Sequence, residues 1–583
     1  MKKFLLGILA GIVIAGVAGV VLVFALVRFS AQKPQVPDAG ILVMNLEGAV
    51  PEGLADTPPI PALARQTPMA VVEWWSVLRA AGRDSRVKAL LVRPRHVGAG
   101  WGKLQELRAG IEAFKKSGKP VYAWLETPGL REYYLASAAD RIYLAPEDFL
   151  NVKGLSIQAM YYRGTLDKLG IQFDVEHMGK YKDAGDMFTR KDMSPETKEA
   201  LNALLDGVWN NATTTIGASR RMRPEQFRAL VDQAPWLAPF AVKNGLVDEL
   251  SYLPAVQKAL ARKVGLQEPV LISPQLLQGD LRRPEKSQRV AFLVAEGDIL
   301  RGAVSSPFGQ DLGLTPAPIA KLVKEIGDDP TIKGVIVRVE SPGGDAIASD
   351  EILESLKELA RKKPVVISMS DVAASGGYYI AMTGDQVVAY PGTITGSIGV
   401  IYGKANLKGL YDKLGISTDT LKRGKFADID SETQPLTPEA RKKLRESIES
   451  IYNGFLKRVA DGRKTTVDKI EPLAQGRVWI GNDALRIHLV DELGGIDRAV
   501  EMVQRKAKLP LDRDVRLVVY PGRKSFWQWV MGMGDSSTYA DYAAFSSMTP
   551  EAWALRHAGT QSGLLPFLQG GMLRVMPYQV DIR

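Results

Sequence analysis

Cysteine is absent from all 583 residues, which removes thiolate nucleophiles, disulfides and cysteine-ligated metals. Histidine is scarce: His96, His177, His488 and His557 are the only imidazoles, and none stands at metal-ligand spacing from another. Blocks of like charge are missing as well. The formal net charge of +10 is scattered along the chain, so nucleic acid is not an expected partner and general membrane affinity is weak at most. Charge is also missing from residues 4–27, between Lys3 and Arg28.

That charge-free run would be about 36 Å long as a helix, enough to cross a hydrocarbon core of roughly 30 Å with some tilt. A cleavable signal peptide is the competing reading. Its apolar region is usually about 7 to 15 residues, and no clear small-x-small site follows Arg28, so an uncleaved single-pass anchor is expected. The three-residue head places the N-terminus inside and the rest of the chain outside the membrane. The remaining composition, 46% hydrophobic and 24% charged, is that of a globular protein with a sizeable core.

Self-comparison shows a tandem repeat. At an offset of 245 residues, Asp140-Arg141-Ile142-Tyr143-Leu144-Ala145-Pro146 aligns with Asp385-Gln386-Val387-Val388-Ala389-Tyr390-Pro391, and Tyr133-Tyr134 with Tyr378-Tyr379. The same offset pairs Asp167-Lys168-Leu169-Gly170-Ile171 with Asp412-Lys413-Leu414-Gly415-Ile416. Each copy alternates short apolar runs with helical spacing, which argues for a parallel sheet covered on both faces, followed by a helical tail at 195–218 or 438–460. The expected order is a membrane anchor (1–35), a first α/β repeat (36–285), a second (286–509) and a C-terminal extension (510–583). The extension holds a strand candidate at 515–520 and a Trp-rich segment at 526–531.

Differences between the copies point to chemistry. Ser397, between Gly396 and Gly399, falls opposite Val152, whereas Lys182 of the first copy falls opposite Ala427. Ser341-Pro342-Gly343-Gly344 and Ala374-Ser375-Gly376-Gly377 also belong to the second copy only. Each feature alone has a plain explanation as a turn, a packing gap or a surface lysine. Together they form a complementary loss. A serine hydroxyl needs a base, and with no histidine near Ser397 in the sequence, Lys182 is the best remaining one. Its pKa must fall by roughly 3 units from about 10.4, which burial can supply. Of the two Gly-Gly loops with exposed amides, Gly343 and Gly344 are the best candidate oxyanion donors, and Gly376-Gly377 has the alternative reading of a gap that lets a helix pack against a strand. Separation of serine and lysine between copies places the site at a domain interface, within one chain or between chains.

The motifs Ser-Pro-Gly-Gly, Ala-Ser-Gly-Gly-Tyr-Tyr-Ile-Ala, Thr-Gly-Ser-Ile-Gly-Val and Tyr-Lys-Asp-Ala, in one chain, resemble those of the long, membrane-anchored, tandem-domain signal peptide peptidases usually called protease IV. The resemblance implies ClpP- or crotonase-like α/β domains and a Ser/Lys dyad with Ser397 as nucleophile and Lys182 as base. It also implies no cofactor, and a homotetramer on the periplasmic side of the inner membrane that cleaves leftover signal peptides. A further hydroxyl orients the lysine in such proteins; Ser417 and Thr418 lie in the region for it. Two rival classes remain open: a crotonase-like acyl-CoA enzyme and a non-catalytic membrane scaffold.

Overall fold

A computed structural model describes residues 35–55, 68–280, 287–302, 304–305, 311–523, 572–576 and 582, with Gly7 and Gly11. Apart from those two glycines, the apolar run 4–27 lies outside the described residues, as do linker residues 281–286 and the Trp-rich segment 526–531. Among the described residues no helix is long and apolar enough to cross a membrane.

The first copy contains β1 (Gly40–Ala49), α1 (Val71–Arg83), β2 (Val87–Gly98), α2 (Trp101–Lys115), β3 (Val121–Leu125), α3 (Leu130–Ala136), β4 (Arg141–Leu144), β5 (Gln172–Met178), α4 (Pro195–Ser219), β6 (Glu249–Leu250) and β7 (Leu271–Ile272). Six of these strands form an all-parallel sheet in the order β6-β4-β3-β2-β1-β7. The second copy contains β8 (Gln288–Glu296), β9 (Ile332–Ser341), β10 (Gly343–Asp345), α5 (Ala346–Lys362), β11 (Val365–Ala374), α6 (Gly376–Ile380), β12 (Gln386–Ala389), β13 (Ile394–Gly396), β14 (Val400–Asn406), α7 (Pro438–Gly462), β15 (Val478–Ile480) and β16 (Val515–Tyr520). Its sheet runs β15-β13-β11-β9-β8-β16, with β12 also beside β11 and only β15 antiparallel. The expected tandem α/β arrangement is present. The strand at 515–520 is present too, and it extends the second copy's sheet as β7 extends the first's.

Alternation of side chains along each strand divides the cores. Ala291, Leu293, Val335 and Val337 face Ile352 and Leu356 of α5. Val290, Phe292, Ile336 and Val366 point the other way, into a cluster with Trp74, Val77, Leu104 and Leu107 of the first copy. One face of the second sheet is thus buried on the first copy, and each fully buried aliphatic side chain contributes about 1.5–3 kcal/mol. Helix α2 lies in this junction, so even Lys103, Gln105, Glu106 and Arg108 are buried along it. The helical tails start alike: Ser194 Oγ accepts from Thr197 N (3.0 Å) and Thr437 Oγ from Ala440 N (3.1 Å), each with proline at the first helical position.

A third sheet joins the copies. Strand β5 of the first copy pairs antiparallel with β14 of the second, from Met178 opposite Val400 to Gln172 opposite Asn406. Ion pairs from α7 hold β5 in place, Arg441 to Asp174 (2.8 Å) and Arg445 to Glu176 (2.6 Å). A final short strand, β17 (Met572–Val575), completes this sheet in the order β10-β17-β14-β5.

Candidate active site

Three side chains from separate parts of the chain meet at the end of β11. Lys182 Nζ lies 2.8 Å from Ser375 Oγ, 3.0 Å from Ser397 Oγ and 3.0 Å from the Ser397 carbonyl oxygen. All three residues are fully buried. The expected pair, Ser397 and Lys182, is therefore brought together, and within one chain. Strand β5 ends beside β14, and the turn after it carries Lys182 to the serines, with Tyr181 N donating to the Gln475 carbonyl (2.8 Å).

Hydrogen-bond chemistry limits what this cluster can do. A neutral amine has two N–H donors and one lone pair. The Ser397 carbonyl can only accept, so it fixes one N–H. If the amine is neutral, its lone pair can accept a proton from one of the two hydroxyls, while an N–H can donate to the other. A hydroxyl that donates to a neutral amine is the one such an arrangement would activate as a nucleophile.

The backbones of the two serines differ. Ser375 sits at the turn from β11 into α6 with φ 54° and ψ −114°, a conformation that a residue with a side chain rarely adopts. A strained strand-to-helix turn of this kind lifts a hydroxyl above the sheet and leaves the following amides, here Gly376 and Gly377, without helical partners. Ser397 also has positive φ (51°), but it follows β13 in a turn whose amide is held by the Arg477 carbonyl (2.7 Å) and whose carbonyl holds the lysine.

Glycines set the close approaches. A Cβ on Gly476 (φ 77°) would stand 2.5 Å from Lys182 N and 2.6 Å from its Cβ, and one on Gly377 would stand 2.3 Å from the Ser341 carbonyl oxygen. The second approach places the Ser375 turn against the Ser341-Pro342-Gly343-Gly344 loop. Gly476→Ala is expected to displace the lysine from the two serines while the protein stays folded, lowering by at least about 10²-fold any reaction that needs the lysine there, with a thermal melt as the control for folding. Within the loop, the Gly343 amide donates to Ser341 Oγ (3.2 Å). The Gly343 carbonyl and the Asp345 amide are both engaged by Ile299, so alternation turns the Gly344 amide to the opposite side, toward β17.

Buried charges brace the strands that end at this site. Arg338 of β9, fully buried, donates from Nε and Nη2 to the carboxylate of Glu52 (both 3.0 Å), a fully buried residue of the first copy that Ser370 also contacts. Burial alone would raise the Glu52 carboxyl, but the charges of Arg338 and Lys103 and the hydrogen bonds hold it below its ordinary value. Asp371 of β11 accepts from Gly100 N (2.8 Å) and Lys103 N (2.7 Å), supplying from the second copy the N-terminal cap that α2 lacks. Glu340 accepts from the amides of Asp371 (2.7 Å) and Val372 (3.1 Å), with Lys103 Nζ 3.7 Å away. Burial pushes the Glu340 carboxyl up, against the pull of Lys103 and with the help of Asp371.

Several residues were placed differently by sequence reasoning. Ser417 and Thr418 are exposed, whereas the second hydroxyl at the lysine comes from the Ala-Ser-Gly-Gly stretch. Its signal was present: an apolar strand, a small-Ser-Gly-Gly turn, then a helix, opposite the buried Leu130 of the first copy. Val152, opposite Ser397, is likewise buried.

These features define a duplicated α/β protein in which one copy's lysine is buried against two serines of the other. The chain belongs to peptidase family S49, whose pattern matches residues 113–267 and 357–510. It is 34% identical over 448 residues to the chloroplastic serine protease SPPA of Arabidopsis thaliana, covering 75% of this chain and 66% of that protein. Protease 4 of Salmonella typhi is 33% identical over 493 residues (81% of this chain, 79% of that one), and Protease 4 of Haemophilus influenzae 30% over 518 (83% and 82%). Among solved structures, a membrane-bound stomatin-specific protease with a substrate peptide covers 42% of this chain and 98% of its own, at 15% identity and a TM-score of 0.26.

Proposed function

We propose that the chain is a membrane-anchored serine endopeptidase with a serine–lysine centre, acting on extended apolar peptides such as remnant signal peptides at the membrane surface. The observation that carries this reading is a fully buried lysine amine within 3.0 Å of two serine hydroxyls, beside glycine-rich turns. Ser375 Oγ attacks the peptide carbonyl while Lys182, neutral, takes its proton. The amide of Gly376, at the start of the helix after Ser375, is the nearest candidate donor to the developing oxyanion. Lys182 then returns the proton to the leaving amine, and water, activated by the same lysine, hydrolyses the acyl-enzyme. No step calls for a metal or organic cofactor. Ser397 holds the amine through its carbonyl and hydroxyl.

The second reading exchanges the serines: Ser397 attacks and Ser375 orients. The 3.0 Å Lys182–Ser397 contact favours it, whereas the 2.8 Å Lys182–Ser375 contact and the strained turn into the helix favour Ser375. Treatment with a serine-directed acylating reagent followed by peptide mapping separates the two. The adduct is expected on Ser375, lost in Ser375→Ala and slowed but retained in Ser397→Ala; an adduct on Ser397 that survives Ser375→Ala reverses the roles. An unlabelled, inactive wild-type protein supports a scaffold instead. The anchor at 4–27 and assembly as a homotetramer on the extracytoplasmic face of the inner membrane belong to the same proposal.

A further inference from the structure

The third sheet contains a strand that belongs to neither α/β copy. Strand β17 lies between β10, which follows the Ser341-Pro342 turn, and β14, which follows Ser397. It is antiparallel to both: Leu573 faces Asp345 on one side and Ile401 on the other, Val575 faces Gly343, and Met572 faces Tyr402. Without it, β10 and β14 would be two facing edges separated by the width of one extended strand, about 10 Å. Continuing toward its C-terminus, the strand runs back along β14 in the direction of Ser397, and Met576 N donates to the Pro342 carbonyl (2.8 Å). A peptide lying in this slot with the same polarity would be led toward the serines and Lys182.

The slot also discriminates between side chains. Leu573, 2% exposed, packs with Ala184, Phe188 and Ile401, and Ala184 is two residues from the lysine. Met576 and Ile582 are buried in the cluster shared by the copies, and Arg131 of α3 donates to the Ile582 carbonyl (2.9 Å). The segment is therefore held at both ends. Meanwhile Ser375, Ser397 and Lys182 are fully buried, so a substrate reaches them only after something moves away.

We propose that β17 is a resident occupant of the peptide groove: the chain's own C-terminal strand fills the slot between Gly343–Asp345 and residues 400–402, with Leu573 in a pocket that otherwise takes an apolar side chain of the substrate. Opening the site means exchanging this strand for a peptide of the same backbone pattern. The inference rests on the peptidase reading for its consequence, but the exchange itself is testable without turnover.

The test uses the chain ended after Gly570 and, in case that chain does not fold, full-length Leu573→Asp, which puts a charge into the apolar pocket. A fluorescent peptide with the sequence of residues 571–576 is titrated against each, monitored by anisotropy. The occupant model expects binding to the shortened or Leu573→Asp protein and at least tenfold weaker binding to the full-length wild type, because an intramolecular competitor lowers apparent affinity by the fraction of open molecules. Equal binding to both, or to neither, overturns it. Hydrolysis of an apolar reporter peptide is measured in parallel. A tenfold or greater rise in kcat/KM on shortening supports the proposal, and unchanged or reduced activity in a folded shortened chain makes β17 a permanent wall of the site. Peptide exchange without any hydrolysis would leave the groove standing and remove the peptidase reading.

Discussion

Lys182→Ala is expected to lower kcat for peptide hydrolysis by about 10³-fold or more, with little change in KM. In the proposed mechanism the lysine touches the reacting hydroxyl rather than the bulk of a bound peptide, so its loss acts on the transition state. A companion variant, Lys182→Arg, separates a base from a mere positive charge: guanidinium cannot be deprotonated in a protein, so it cannot accept the serine proton. Substantial activity in Lys182→Arg would sink the proton-transfer role. The pH profile supplies an independent check. Only the neutral amine accepts a proton, and the neutral fraction grows with pH, so kcat/KM should climb through the alkaline side of neutrality to a plateau. A profile that falls above pH 7 would assign the limiting ionisation to some other group.

The second large effect concerns stability. Arg338→Met is expected to cost about 3–5 kcal/mol, because it leaves the Glu52 carboxylate buried without its bidentate partner. Denaturant unfolding at neutral pH measures it. Pairing Arg338→Met with Glu52→Leu should recover much of the loss, since both charges of the pair are then gone; failure to recover would assign the stability to the Arg338 contact with the buried Glu106 (3.9 Å) or to packing around Arg338 rather than to the Glu52 pair. The wild-type pair also has a defined pH signature. The Glu52 carboxyl is held below its ordinary value of 4.5, so its contribution is fully present above that value and is lost as pH falls through the lower folded-state value. The Arg338→Met variant should lack that acid-side loss.

Much of the architecture was legible because duplication repeats its physical requirements. Tyr133 and Tyr378 each donate to a carbonyl, of Leu246 (2.7 Å) and Leu489 (2.8 Å) respectively, and Arg220–Asp248 recurs as Arg463–Asp491. Even an exception followed the rule: His488 takes the left-handed conformation (φ 60°) that Gly245 takes in the first copy (φ 69°). Lys182 was found because it lacked a counterpart. Ser375 lacked one too, and its strand–turn–helix setting is visible in the sequence, but its neighbouring glycines resemble ordinary packing gaps and the strain of the turn shows only in the backbone angles. Glu52 and Arg338 lie 286 residues apart, so no local pattern announces their pairing. The β17 segment is a few apolar residues without strand periodicity long enough to recognise; it is a strand because two edges await it.

The pairing of β5 with β14 also bears on when the site can form. Translation delivers the first copy early, and that copy has a lysine but no serine opposite it. The second copy supplies both hydroxyls but borrows its lysine from residues already made. A half-finished chain therefore lacks the lysine–serine cluster on either account. The cluster of Lys182, Ser375 and Ser397 thus forms only after the second copy has been made and β14 has paired with β5.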